Sequence, residues 1–222
     1  MVRVVAARFV RSAAGVADFP RDPVPQVAMV GRSNVGKSSL INALARSRIA
    51  RTSAAPGKTR LVNLYLVELA ARPLDRVYLV DLPGYGYARG GGRSAAAFEA
   101  LTSAYFEQPP WDAPGVRGQP TGPSAAVLVV DARHPGLEAD VNALEWLVSR
   151  RRPVGVVASK IDKLSRAERR RAEDAWRKAL NVPVLPVSVV TGEGLNQLWT
   201  LISRLANGSP NSGSPRAATT SQ

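Results

Sequence analysis

The chain has 222 residues, 45% hydrophobic and 21% charged, ordinary proportions for one globular domain with a full core. No cysteine and one histidine exclude disulfides and Cys/His metal sites, leaving hard oxygen ligands and phosphate as the surroundings of any metal. A formal charge of +13 exceeds what a bound nucleotide accounts for and implies a larger polyanionic partner.

No apolar run approaches the roughly eighteen residues of a membrane-spanning helix, so a soluble protein without a transmembrane segment is expected. Residues Met1 to Asp18 carry Arg3, Arg8 and Arg11 with no acid before Asp18, a pattern shared with organellar transit peptides. Against that reading, Val4 to Val10 is β-branched and apolar and leads into Pro20, Pro23 and Pro25. Residues 1–25 are therefore assigned to the fold as a basic arm or edge strand packed on a domain spanning 26–206.

Gln26 to Val30 predicts a buried strand and Ser39 to Leu44 a helix. Between them Gly31-Arg32-Ser33-Asn34-Val35-Gly36-Lys37-Ser38 reads G-x-x-x-x-G-K-S, a P-loop in its strand-loop-helix context. The glycines let backbone N–H groups converge on phosphate oxygens, helped by the positive end of the following helix. Lys37 is placed to reach the outer phosphates, and Ser38 supplies a hydroxyl for Mg²⁺, an ion held by few protein oxygens plus phosphate and water.

Ser47 to Arg60 has little periodic apolar content and a Pro56-Gly57 turn, and reads as a mobile loop. Leu61 to Val67 and Val77 to Val80 read as two strands joined through Ala71 to Asp75. The second runs into Asp81-Leu82-Pro83-Gly84, a D-x-x-G that sets an aspartate at a strand's carboxyl end to hold a Mg²⁺ water, then a glycine N–H for the terminal phosphate. Tyr85 follows, and Gly86 to Arg93, with four glycines, predicts a second flexible segment.

Ser94 to Glu107 is a predicted helix with Phe98, Leu101 and Tyr105 as core contacts, and Gln108 to Pro123, with five prolines, a surface loop anchored by Trp111. Ala125 to Asp131 is a further apolar strand, and Leu137, Val141, Leu144, Leu147 and Val148 mark the inner face of the helix after it. His134, with no acid-base partner in view, reads as structural.

Val154 to Ser159 is the next strand, ending at Lys160-Ile161-Asp162. Ser165 and Glu168 form a capping box for a basic helix through Arg169, Arg170, Arg171, Arg177 and Lys178, with Trp176 facing inward. Val184 to Val187 is the last strand, leading to Ser188-Val189-Val190. A helix carrying Leu195, Leu198, Trp199, Ile202 and Leu205 closes the domain, and 207–222 reads as a disordered tail. The alternation predicts an α/β, three-layer P-loop NTPase fold: a mostly parallel six-stranded sheet with one antiparallel strand and helices on both faces.

The P-loop, D-x-x-G and K-x-D motifs occur in the order and at the strand ends of a Ras-like G domain. More narrowly, Gly31 to Asn42, Pro56-Gly57-Lys58-Thr59, Val80 to Ala88 and Asp131-Ala-Arg-His-Pro135 resemble the EngB (YihA/YsxC) family of TrmE-Era-EngA-EngB-Septin-like GTPases, over about Ala7 to Ala206. The resemblance implies a cytoplasmic, monomeric GTP-binding protein with slow hydrolysis, acting as a switch in large ribosomal subunit assembly with rRNA as partner, and linked to cell division and septation. It implies that Gly31 to Ser38 bind phosphates, with Lys37, Thr59 and Gly84 serving hydrolysis. Gly57, Lys58, Thr59, Arg60 and Leu61 then form the first switch and Asp81, Leu82, Pro83 and Gly84 the γ-phosphate sensor. Mg²⁺ is held by Ser38, Thr59 and, through water, Asp81.

Guanine is held by Ser159, Lys160, Ile161 and Asp162, with Val187, Ser188 and Val189. In that pattern the aspartate accepts hydrogen bonds from guanine N1–H and its 2-amine, while the lysine stem covers the base. Ser159 stands where Asn or Thr is usual, and Val189 where a small residue is. Tyr85 replaces the glutamine that orients the attacking water in Ras-like enzymes, in keeping with relatives that have a hydrophobic residue there. Asn34 is a candidate K⁺ ligand as well as a loop-bracing residue. Two other readings stay open: a basic RNA-binding module whose nucleotide site is only structural, and a P-loop small-molecule kinase, which the K-x-D motif weakens.

Overall fold

The computed structural model describes residues 2–52, 61–70, 73–85 and 92–207, excepting the side chains of 92–98. Seven strands follow in chain order, β1 (Val4–Ala13), β2 (Gln26–Gly31), β3 (Val62–Leu69), β4 (Arg76–Asp81), β5 (Ala125–Asp131), β6 (Val154–Ser159) and β7 (Val184–Pro186). The helices are α1 (Lys37–Ala45), α2 (Gly92–Glu107), α3 (Glu138–Ser149), α4 (Arg166–Leu180) and α5 (Leu195–Ala206).

The strands form one sheet in the order β1-β3-β4-β2-β5-β6-β7. β2 is parallel to β4 and β5, and β6 to β5 and β7, whereas β3 runs antiparallel to both β1 and β4. The fold is thus the expected mostly parallel sheet with one antiparallel strand, but with seven strands where six were expected. The added strand is β1, whose β-branched run pairs with β3 from Val4 opposite Leu69 to Ala13 opposite Val62.

Central strands are apolar on both faces because helices cover both. Ala28 and Val30 of β2 enter one core with Tyr105, Leu144, Leu147, Trp176 and Leu180, from α2, α3 and α4. Val27 and Met29 enter the other with Leu40, Ile41, Leu44, Leu198, Trp199 and Ile202, from α1 and α5. Trp199 donates its indole N–H to the Leu44 carbonyl at 3.3 Å, which fixes α5 against α1.

Two expectations need amendment and a third is covered only in part. Leu101 and Tyr105 do pack into the core, but the side chain of Phe98 lies outside the described residues. The Gln108 to Pro123 segment is a surface loop only in part. Thr121 to Pro123 is buried, because Gln26, buried on β2, donates to Thr121 Oγ1 at 2.7 Å and accepts the Tyr105 hydroxyl at 2.9 Å. On α3, Leu144 and Leu147 are buried, but Leu137 and Val148 are exposed; the buried position one turn before Leu144 is Asp140.

The carboxyl ends of β2, β4, β5 and β6 lie on one edge of the sheet, since Met29 stands opposite Asp81 and Asp131 opposite Ser159. Ligands of open α/β sheets bind outside that edge.

Candidate functional site

The loop leaving β2 turns through left-handed residues at Asn34 (φ 62°) and Gly36 (φ 107°) and enters α1 at Lys37. Lys37 is buried, and its ammonium donates to the carbonyls of Gly31 at 2.8 Å and Arg32 at 3.2 Å. The loop therefore wraps its own lysine. Ser38, next on α1, donates its hydroxyl to Asp81 Oδ2 at 2.5 Å, bringing the P-loop and the end of β4 together. Asp81 Oδ1 is buried with no hydrogen-bond partner among the described residues. Burial pushes the Asp81 carboxyl up and the Lys37 ammonium down, each partly offset by the other's charge. A buried carboxylate oxygen without a partner beside a hydroxyl is a hard-oxygen donor set, and it fits a hydrated Mg²⁺.

Leu82 and Pro83 are buried behind Asp81, and Gly84 packs directly on the P-loop. A Cβ on Gly84 would come within 2.6 Å of the Ser33 backbone nitrogen, so no larger residue fits that approach. Ser33 N–H donates to the Tyr85 carbonyl at 3.2 Å, and its hydroxyl lies 3.5 Å from the Gly84 carbonyl.

At the end of β6, Ser159 places its hydroxyl 2.7 Å from the Val35 carbonyl and 3.0 Å from that of Val130. The short side chain at this motif position thus touches the P-loop backbone. Lys160, left-handed at φ 64°, donates to the Asn34 carbonyl at 2.7 Å and to Asp131 Oδ2 at 3.0 Å. Arg133 closes on the same carboxylate with two hydrogen bonds, at 2.9 and 2.8 Å.

Asp162 Oδ1 accepts the hydroxyl of fully buried Ser188 at 2.7 Å, and that hydroxyl oxygen in turn accepts the N–H groups of Val190 and Thr191. The Ser188 hydroxyl leads the effects holding the Asp162 carboxyl below its usual range, so it is ionised and acceptor-only at neutral pH. The Val187 carbonyl accepts the Ile161 N–H at 3.4 Å, joining the two segments. Val189 is 39% exposed.

Of the expected site residues, Gly31 to Ser38, Asp81 to Gly84, Ser159 to Asp162 and Val187 to Val189 come together at one edge. Gly57, Lys58, Thr59 and Arg60 lie outside the described residues, and Leu61 is 38% exposed just before β3. His134 is exposed. Two residues stand outside the site assigned from the sequence: Asp131, placed at a strand end and in the Asp131 to Pro135 motif, and Asp140, to which no role was given. The signal for Asp140 is its spacing, four residues before Leu144 and seven before Leu147, on the buried stripe.

A family model described as a 50S ribosome-binding GTPase matches residues 26–160. A probable GTP-binding protein EngB from Pelotomaculum thermopropionicum is 39% identical over 208 residues, 91% of this chain and 96% of that one. The chain belongs to the EngB family of GTPases. Among solved structures, a probable GTP-binding protein engB superposes with a TM-score of 0.59 at 22% identity, over 82% of this chain and 98% of that one. Era in complex with MgGDPNP and nucleotides 1506–1542 of 16S ribosomal RNA superposes with a TM-score of 0.66 at 22% identity, over 89% of this chain and 60% of that one. These likenesses show the P-loop GTPase fold. As an EngB-family member the chain binds GTP and GDP and hydrolyses GTP.

Among the described residues no group of three His, Cys, Asp or Glu could hold a metal, and no helix is long and apolar enough to cross a membrane.

Proposed function

We propose that this EngB-family GTPase is a slow, Mg²⁺-dependent switch that binds an assembling large ribosomal subunit in its GTP form and leaves it after hydrolysis. The observation that carries the reading is Asp81: its Oδ2 is bonded to Ser38 and its buried Oδ1 has no partner among the described residues, at the point where β4 meets the P-loop. Ser38 would hold Mg²⁺ directly and Asp81 through water, with Thr59 as the third protein ligand. When bound, the ion neutralises charge on the phosphates.

The chain's own residues do the rest. Lys37 exchanges its two backbone carbonyls for phosphate oxygens, recovering charge-assisted bonds in a buried site. Gly84, pressed on Ser33, offers its N–H to the γ-phosphate. Asp162, ionised and steadied by Ser188, accepts from guanine, and the Lys160 stem covers the base. Adenine would leave that carboxylate desolvated and unpaired, and sites of this kind discriminate by roughly 10⁴-fold.

Tyr85 cannot orient the attacking water as glutamine does. Burial and the neighbouring Asp140 carboxylate push its phenol far above the ordinary value, so it stays a neutral donor turned to Asp140. Intrinsic hydrolysis is therefore slow, and an external element or K⁺ at Asn34 supplies the missing charge stabilisation, an effect worth roughly 10³ to 10⁵-fold elsewhere. The formal charge of +13 supports an rRNA partner, and exposed Arg166, Arg170, Arg171 and Lys178 on α4 contribute to it. The reading places the protein in the cytoplasm, as a monomer, and links it to normal cell division and septation.

The test is GTP turnover by the purified protein in Na⁺ and in K⁺, with and without large subunits. Slow turnover that rises with subunits or K⁺ is the expected result. Rapid turnover in Na⁺ alone contradicts it.

A further inference from the structure

Asp140 lies in the first turn of α3, fully buried, yet it does not belong to any of the phosphate or base motifs. Its Oδ1 accepts the Tyr85 hydroxyl at 2.7 Å and lies 3.2 Å from Arg32 Nε. One carboxylate thus gathers the residue after D-x-x-G and a P-loop residue onto a third element.

The backbone reinforces the arrangement. Arg32 and Tyr85 form an isolated parallel bridge, and Ser33 N–H donates to the Tyr85 carbonyl. Gly84, one residue before Tyr85, is the group expected at the γ-phosphate, and it sits against Ser33 with no room for a Cβ. Where the Tyr85 phenol is held, Gly84 is held.

The cluster is not fully satisfied. Among the described residues, Asp140 Oδ2 and Arg32 Nε are both buried without a hydrogen-bond partner, although the two side chains are charge-paired. A buried carboxylate with an unused oxygen is costly as packing alone, and its place in the first turn of a helix offsets only part of that cost. A leucine here would continue the apolar stripe of Leu144 and Leu147.

We propose that Asp140 is a positioning residue for GTP hydrolysis, which anchors Tyr85 and Arg32 to α3 and so sets Gly84 and the P-loop against each other around the γ-phosphate. This rests on the nucleotide site assigned above. The test compares Tyr85→Phe, Asp140→Ala, Asp140→Asn and the Tyr85→Phe/Asp140→Ala double variant in single-turnover GTP hydrolysis, with GDP affinity and thermal stability measured on the same samples.

Tyr85→Phe keeps the ring and loses only the hydroxyl bond to a charged partner, and it should lower kcat about tenfold with KM and GDP affinity within about twofold. Asp140→Asn, which still offers an acceptor to Tyr85, should lose less than Asp140→Ala. The double variant should fall no further than the worse single one, because both changes break one unit. Unchanged kcat in Tyr85→Phe overturns the inference even if Asp140→Ala fails to fold. So do multiplying losses in the double variant, or equal loss of GDP affinity and kcat. Failure of the unaltered protein to bind GDP would instead overturn the site assignment, and this inference with it.

Discussion

Asp162 Oδ1 is engaged by Ser188, and Oδ2 lies 3.7 Å from Lys163 on the open side. Under the proposed function, a guanine bound there would share the carboxylate with a hydroxyl that already orients it, through charge-assisted bonds. Asp162→Ala should weaken GDP binding by about 10² to 10⁴-fold, the range for losing two hydrogen bonds to a charged group, and should lower the thermal stability of the free protein modestly, because the buried Ser188 hydroxyl loses its acceptor; titration with a fluorescent GDP analogue and a thermal melt check it. Ser159 shows how much of such detail the sequence carries. Its type and motif position are legible, but its contact with the Val35 carbonyl is not, because that contact joins β6 to a loop 124 residues earlier. The same holds for Asp140, whose partners Tyr85 and Arg32 come from two other elements. Local spacing marks Asp140 as inward-facing and cannot say what it meets.

At the scale of elements, the turn into α5 controls the base-side loop. Gly194 has φ 78°, and a Cβ there would come within 2.2 Å of the Pro186 carbonyl oxygen, at the end of β7. The adjoining loop is closed by Ser188 N–H donating to the Glu193 carbonyl at 3.0 Å. Gly194→Ala should therefore destabilise the fold by about 2 kcal/mol or more, through left-handed strain plus the clash, and weaken guanine binding by displacing Ser188. A urea midpoint and a GDP titration on one sample check both. Strands and helices with strong periodicity were legible: the capping box expected at Ser165 and Glu168 forms, and Trp176 is 1% exposed. The end of the 108–123 segment was not. Proline and glycine content signals a loop, but Thr121 is drawn inward by Gln26 on β2, a polar residue whose burial depends on partners 79 and 95 residues away.

Across the whole molecule, Asp131 ties β5, β6 and the P-loop side together through Arg133 and Lys160. Burial alone would raise its carboxyl, but the hydrogen bonds from Arg133 and then Lys160 prevail and hold it well below the usual range. A depressed folded-state value adds stability that is fully present above the unfolded value near about 4 and is lost as pH falls further. The protein should therefore lose stability progressively below about pH 4, and Asp131→Asn should lower stability at neutral pH and flatten that acid dependence; thermal melts from pH 7 downward check it. The motif order alone made the clustering of Gly31 to Ser38, Asp81 to Gly84 and Ser159 to Asp162 at one sheet edge legible, because parallel strands deliver their carboxyl ends there. The full pairing of β1 with β3 was less so, since an edge strand shows only its local β propensity. The central claim, that nucleotide state governs engagement of the large subunit, is tested most directly by sedimenting the protein with large ribosomal subunits. The comparison is between a non-hydrolysable GTP analogue, GDP, and the analogue with Asp162→Ala. The account predicts comigration with the analogue, little with GDP and little for the variant. Equal comigration in all three would contradict it and make the protein an RNA-binding module indifferent to its nucleotide.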